Sequence, residues 1–111
     1  MRTAETLTIA PGATGCLFRH MPFLEGTFIA TVFPISTDET TQVTSQFSAV
    51  IKWSPNNKFW ISEPITEGVL TSNGESLVTL VQAPNVRVEV TNNSGTQRKF
   101  YVTVATVETA S

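Results

Sequence analysis

The chain has 111 residues, the size of one domain with a two-layer core and no room for a second. Charged side chains make up only 14% of it, against roughly 25% in an ordinary soluble domain, and the formal net charge is -2. Its basic residues are scattered, with Arg98-Lys99 the one adjacent pair, which excludes the clustered positive charge that nucleic-acid affinity rests on.

Thr, Ser, Asn and Gln take the place of charge, and Thr, being β-branched, suits strands. No apolar run approaches the roughly 18 residues of a membrane span. Residues 1–14 are polar and lack the apolar centre of a signal peptide, so synthesis in the cytosol is expected. A single cysteine, Cys16, allows no intrachain disulfide and fits a reducing compartment.

Gly, Pro and Asn punctuate the chain regularly, and the stretches between alternate with a period of two, which predicts strands and no helix. The first strand is expected at Glu5 to Ala10, with residues 1–14 an arm or edge strand. Cys16 to His20 is a short strand or extended loop. Thr27 to Phe33 is a strand apolar on both faces: Phe28, Ala30 and Val32 on one, Ile29 and Phe33 on the other. Ile35 to Gln42 is polar and reads as a loop.

Gln42 to Trp53 is the longest expected strand, with Val43, Phe47, Ala49, Ile51 and Trp53 sharing a face. Ser54-Pro55-Asn56-Asn57 predicts a hairpin turn, since proline pre-sets the turn dihedral and asparagine tolerates positive φ. Lys58 to Ser62 is then the return strand, which sets Trp60 near Trp53 as a cross-strand aromatic pair. Ser76 to Gln82 follows the Asn73-Gly74 turn. Asn85 to Thr91 alternates Val86, Val88 and Val90 with Arg87 and Glu89. Asn92-Asn93-Ser94-Gly95 leads into Arg98 to Val107, and these last two strands are expected to form a hairpin. Seven to eight such strands predict a single all-β domain over residues 1–111, an antiparallel β-sandwich with a small β-barrel as the alternative.

The residues of chemistry do not assemble into a motif. The single histidine, His20, stands in Arg19-His20-Met21-Pro22 without the ligand spacing of a metal site or the motif of a nucleophile. Cys16 reads as a small buried hydrophobe. Asp38-Glu39 lacks the spacing of a calcium loop, and the glycines form no phosphate-cradling cluster. No catalytic, cofactor or metal residues are therefore expected, and the chain reads as a non-enzyme.

Several strands carry apolar residues on both faces: Phe28 and Ile29, Val50 and Ile51, Leu77 and Val81 against Val78 and Leu80, Phe100 and Tyr101. A free sandwich should be polar outside. Sparse charge with surplus apolar residues is how an interface reads. Trp53, Phe59, Trp60 and Tyr101 are the candidate interface or ligand-stacking residues; Phe59 and Trp60, adjacent in the expected return strand, point to opposite faces, and one of them needs a cover other than the domain's own core.

Residues 43–107 resemble small β-sandwich virion proteins of tailed bacteriophages. The features are Val-Ile-Lys-Trp-Ser-Pro-Asn-Asn at residues 50–57, the following Trp60, and Val-Arg-Val-Glu-Val-Thr-Asn-Asn-Ser-Gly-Thr at 86–96 returning as Phe-Tyr-Val-Thr-Val at 100–104. The resemblance implies a head-decoration or cement, neck or tail protein, made in the host cytoplasm and carried in the virion. Its expected partners are the major capsid protein or neighbouring subunits, including further copies of itself. It implies no catalytic residues. The alternative is a carbohydrate- or cell-surface-binding module of a phage tail or baseplate, with Trp53, Trp60 or Tyr101 as stacking platforms.

Overall fold

The computed structural model describes residues 2–21, 26–64 and 69–107. Among them are nine strands and no helix: β1 (Arg2–Ile9), β2 (Thr14–His20), β3 (Thr27–Ile35), β4 (Ser45–Ser54), β5 (Ile61–Pro64), β6 (Leu70–Ser72), β7 (Glu75–Leu80), β8 (Asn85–Asn92) and β9 (Arg98–Val107). They form two antiparallel sheets. Sheet A has the order β1-β9-β3-β7, and sheet B the order β2-β8-β4-β5, with β6 also on β4. Each sheet keeps open edges, so the closure is a sandwich and not a barrel.

The count exceeds the expected seven to eight because one edge is shared. β5 pairs with Val50 to Trp53 of β4, and β6 pairs with Ser45 to Phe47 of the same strand. Taken as two lengths of one edge strand, they leave eight positions, and nearly every connection crosses from one sheet to the other. That is the jelly-roll arrangement. β1 is longer than its apolar pattern suggests, because it pairs with β9 along its whole length and needs no alternation to do so.

The cross-sheet winding overturns one expectation. β8 and β9 are not a hairpin: β8 pairs with β2 and β4, and β9 with β1 and β3. The turn between them is an arch from one sheet to the other, organised by Asn92, which is wholly buried. Its side-chain nitrogen donates to the carbonyls of Ile9 and Thr96, both at 2.9 Å, and its oxygen accepts from the Ser94 amide and hydroxyl. Its main chain bonds to Gly12 and Ala13 in the β1–β2 turn, where Gly12 takes a φ of 75°. One asparagine thus ties two arches at the same end of the sandwich.

The β4–β5 turn is a true hairpin. Asn56 accepts from the amides of Lys58 and Phe59, and Asn57 carries the positive φ. The return strand begins later than expected, however, with Ile61 opposite Trp53. Phe59 and Trp60 therefore lie in the loop before β5, and the expected Trp60–Trp53 pair does not form.

The core lies between the sheets. Phe28, Ala30, Val32, Phe100, Val102 and Val104 enter from sheet A; Leu17, Phe47, Ile51, Trp53, Val86, Val88 and Val90 enter from sheet B. Two edge-on ring pairs span the layers, Phe28–Trp53 at 5.2 Å and Phe47–Phe100 at 5.6 Å. Such pairs contribute about 0.5–1.5 kcal/mol beyond area burial. At the β1–β2 side, a Cβ on Gly15 would come within 3.0 Å of Ile9, so the missing side chain lets the two edges approach. Arg19 extends this closure, donating to Thr3 at 2.7 Å and lying 3.9 Å from Glu5.

Candidate functional site

The strand period of two turns alternate residues outward, and the two outer faces differ in chemistry. On sheet B, Lys52, Arg87 and Glu89 share the surface. Glu89 sits 3.0 Å from Lys52 and 2.8 Å from Arg87. Arg87 also lies over the Trp60 ring at 4.4 Å, and Phe18 meets that ring edge-on at 6.3 Å. Cys16 stands opposite Glu89 on this face, half-buried, not in the core as expected. Burial, then the nearby Glu89 carboxylate, pushes its thiol pKa up, so the thiolate is disfavoured.

The outer face of sheet A is different. Register places Val78 opposite Ile29 and Ile29 opposite Ala105, while Leu80 and Val107 flank Thr27. Val78 and Leu80 are 66% and 67% exposed. Thr6, Thr31 and Thr103 supply hydroxyls between the apolar groups. Among the described side chains, charge on this face is confined to one end, where Lys99 meets Glu39 at 3.1 Å.

Two concavities lie on the same face and share Tyr101. One, of about 370 Å³, is lined by Thr6, Phe33, Tyr101 and Gln42 under the loop of residues 36–41. The other, of about 440 Å³, runs over Ala4, Ile29, Thr31 and Thr103. Phe33 and Tyr101 tilt against each other at 6.5 Å between centroids. The loop is locked by Asp38, which accepts from Ser36 Oγ at 2.6 Å and Thr40 Oγ1 at 2.7 Å. Those bonds hold its carboxyl below the usual aspartate pKa.

The four candidate aromatics do not gather. Tyr101 lies at the centre of the sheet A face. Trp53 is fully buried against Phe28 and offers no surface for stacking, because its position in the long central strand points into the core. Trp60 belongs to the sheet B side, half-covered by Phe18 and Arg87. Phe59 is 67% exposed in the β4–β5 loop, apart from the sheet A face, with Lys58 5.4 Å from its ring centre. The residues that complete the sheet A face are Phe33, Ile29, Val78, Leu80 and Val107. The signal for most of them was the apolar alternation on both sides of one strand; their convergence required the sheet order.

His20 approaches Asn85 at 3.3 Å on the outer face of sheet B. Among the described residues no three His, Cys, Asp or Glu side chains group as metal ligands, and no helix is long and apolar enough to cross a membrane.

No protein-family model matches the chain, and no curated protein matches its sequence. Solved structures match its shape. A mitogen from Yersinia pseudotuberculosis aligns with a TM-score of 0.63 and 9% identity over 100% of this chain and 90% of the mitogen. Tripeptidyl peptidase 2 aligns with a TM-score of 0.63 and 7% identity over 95% of this chain, which spans 10% of the peptidase. At such identities the likeness is one of fold, and the chain is an antiparallel β-sandwich of a kind found both alone and as a small part of a large protein.

Proposed function

We propose that this chain is a non-enzymatic structural subunit of a phage particle, a decoration or cement protein that lays the outer face of sheet A against the major capsid protein or a neighbouring virion subunit. The observation that supports it is the contrast between the faces: one carries a paired charge network beside the exposed Phe18, the other, among the described side chains, an apolar surface with charge only at one end. Burying such a surface is favourable at roughly 25 cal/mol per Å², and among the described side chains no stranded charge opposes it. Jelly rolls serve as viral capsid and lectin domains, which admits the reading without selecting it. The test is cosedimentation of the labelled chain with heads of the phage that encodes it. Saturable binding is expected, lost when Ile29 and Tyr101 are both changed to Lys; a wild-type chain that stays in the supernatant ends the proposal.

A second reading rests on one feature, the exposed Tyr101 ring among the Thr31 and Thr103 hydroxyls in the sheet A trough. A ring with flanking hydroxyls is a surface on which a sugar could stack, as in a carbohydrate-binding tail module. Chemical-shift changes confined to Tyr101 and its neighbours on adding host-surface glycans favour it over assembly.

A further inference from the structure

The edge of sheet A at β7 presents main-chain groups of definite chemistry. Among the described residues, β7 hydrogen-bonds along one side only, to β3. The Val81 amide donates to the Gly26 carbonyl at 3.0 Å. Counting back along the register, Leu77 and Thr79 turn their main-chain groups toward β3, and Ser76, Val78 and Leu80 turn theirs away, to the open side. A row of outward amides and carbonyls is matched in spacing by another β-strand. Strands exposed this way are usually guarded by Lys, Pro or a bulge, yet Ser76 to Leu80 contains neither residue and pairs with β3 without interruption.

The edge is also complementary to itself. We propose that β7 pairs antiparallel with β7 of a second copy of this chain, about a two-fold axis at Thr79, joining the two copies of sheet A into one. In that register Val78 of each copy faces Leu80 of the other and exchanges main-chain hydrogen bonds with it, and no charge opposes a like charge. Centring the axis on Val78 instead would set Leu80 against Ser76, leaving an apolar side chain beside a hydroxyl. The axis at Thr79 runs perpendicular to the sheet, so both Tyr101 faces stay on one side. The dimer forms without any particle and does not depend on the capsid reading.

Sedimentation equilibrium of the purified chain from about 1 μM to 1 mM, a range suited to an interface smaller than the standard size, tests it. The mass is expected to rise from 12.1 kDa toward twice that value. Val78→Pro removes an outward amide without touching the β3 ladder, and Val78→Lys adds a guard charge; both are expected to stay monomeric with unchanged circular dichroism. Phe59→Lys, equally exposed but off the edge, is expected to dimerise as the parent does. In concentrated samples the amides of Ser76, Val78 and Leu80 are expected to exchange more slowly than in dilute ones, with those of Leu77 and Thr79 unchanged. Facing Thr79 residues, about 4.5 Å apart at Cα in a non-hydrogen-bonded pair, are expected to crosslink as Thr79→Cys in a Cys16→Ser background. A parent that remains at 12.1 kDa, or a dimer that survives both Val78 variants, overturns the proposal. A parent chain that binds particles yet never dimerises would overturn this inference alone.

Discussion

Sheet A turns Ile29, Val78, Leu80, Ala105 and Val107 outward, while sheet B turns Lys52, Arg87 and Glu89 outward, and the same alternation of strand residues produces both. Within sheet B each charge has a partner in reach, and Trp60 is roofed by Arg87. Within sheet A the outward groups just named have no such cover, and among the described side chains the ion pair on its outer face, Lys99 with Glu39, stands at the rim. The chain's low charge content is therefore a property of one face more than of the whole. A composition averaged over the molecule hides an asymmetry that is the main functional clue.

Both faces depend on the shared core, and the largest expected effect is there. Trp53→Ala should remove about 3–5 kcal/mol of unfolding free energy, since the side chain is fully buried against Phe28. Urea titration measures it, and loss of both faces together would show that neither is an independent unit. By the same geometry, acrylamide should quench one tryptophan, Trp60, and spare the other.

The next effect separates the faces. Ile29→Lys with Tyr101→Lys should weaken the proposed particle binding by about 2 kcal/mol or more, roughly thirtyfold, because a central aromatic and an apolar residue lining the same trough are the anchors such interfaces lean on. Stability should hold near the parent value. Comparable loss from Lys52→Glu on sheet B would erase the distinction drawn between the faces.

A smaller effect belongs to sheet B. Glu89 bridges two cations, each side chain at least partly in water, so Glu89→Gln should cost about 0.5–1 kcal/mol and less at high salt. Particle binding should not change. Thermal unfolding at low and high ionic strength resolves both points.

How far this was legible in the sequence is best judged from two turns. Ser54-Pro55-Asn56-Asn57 forms the hairpin its residues predict, because Asn56 caps the turn locally and Asn57 adopts the positive φ. Asn92-Asn93-Ser94-Gly95 has equally good turn chemistry and yet spans the two sheets. Its decisive contacts are distant: Asn92 bonds to Ile9 and to the Gly12 and Ala13 main chain, some eighty residues earlier. Local propensity sets that the chain turns, and long-range pairing sets into which sheet it goes. The same limit applies to the aromatics. Trp53 and Tyr101 both lie on alternating strands, and only the sheet order shows that one faces the core and the other the surface. All-β architecture and most strand positions needed no such information.

The least effect expected is one of pH, at the rim of the sheet A face. Asp38 accepts hydrogen bonds from Ser36 and from the amide and hydroxyl of Thr40, which favour its charged form and lower its pKa in the folded chain. A carboxyl whose folded pKa lies below its unfolded value of about 3.8 contributes fully above that value and loses its contribution as pH falls through the folded one. The loop should therefore keep its order above the unfolded value and loosen only as pH falls below it. The Thr40 amide shift should report a midpoint under 3.8, absent in Asp38→Asn. The loop overhangs the cleft of Phe33 and Tyr101, so those rings should shift together with Thr40 if loop and face are one unit. Rings that stay still while the loop opens would mean that the apolar face is held by its strands alone, and that sheet pairing, not the loop, keeps it in shape for a partner.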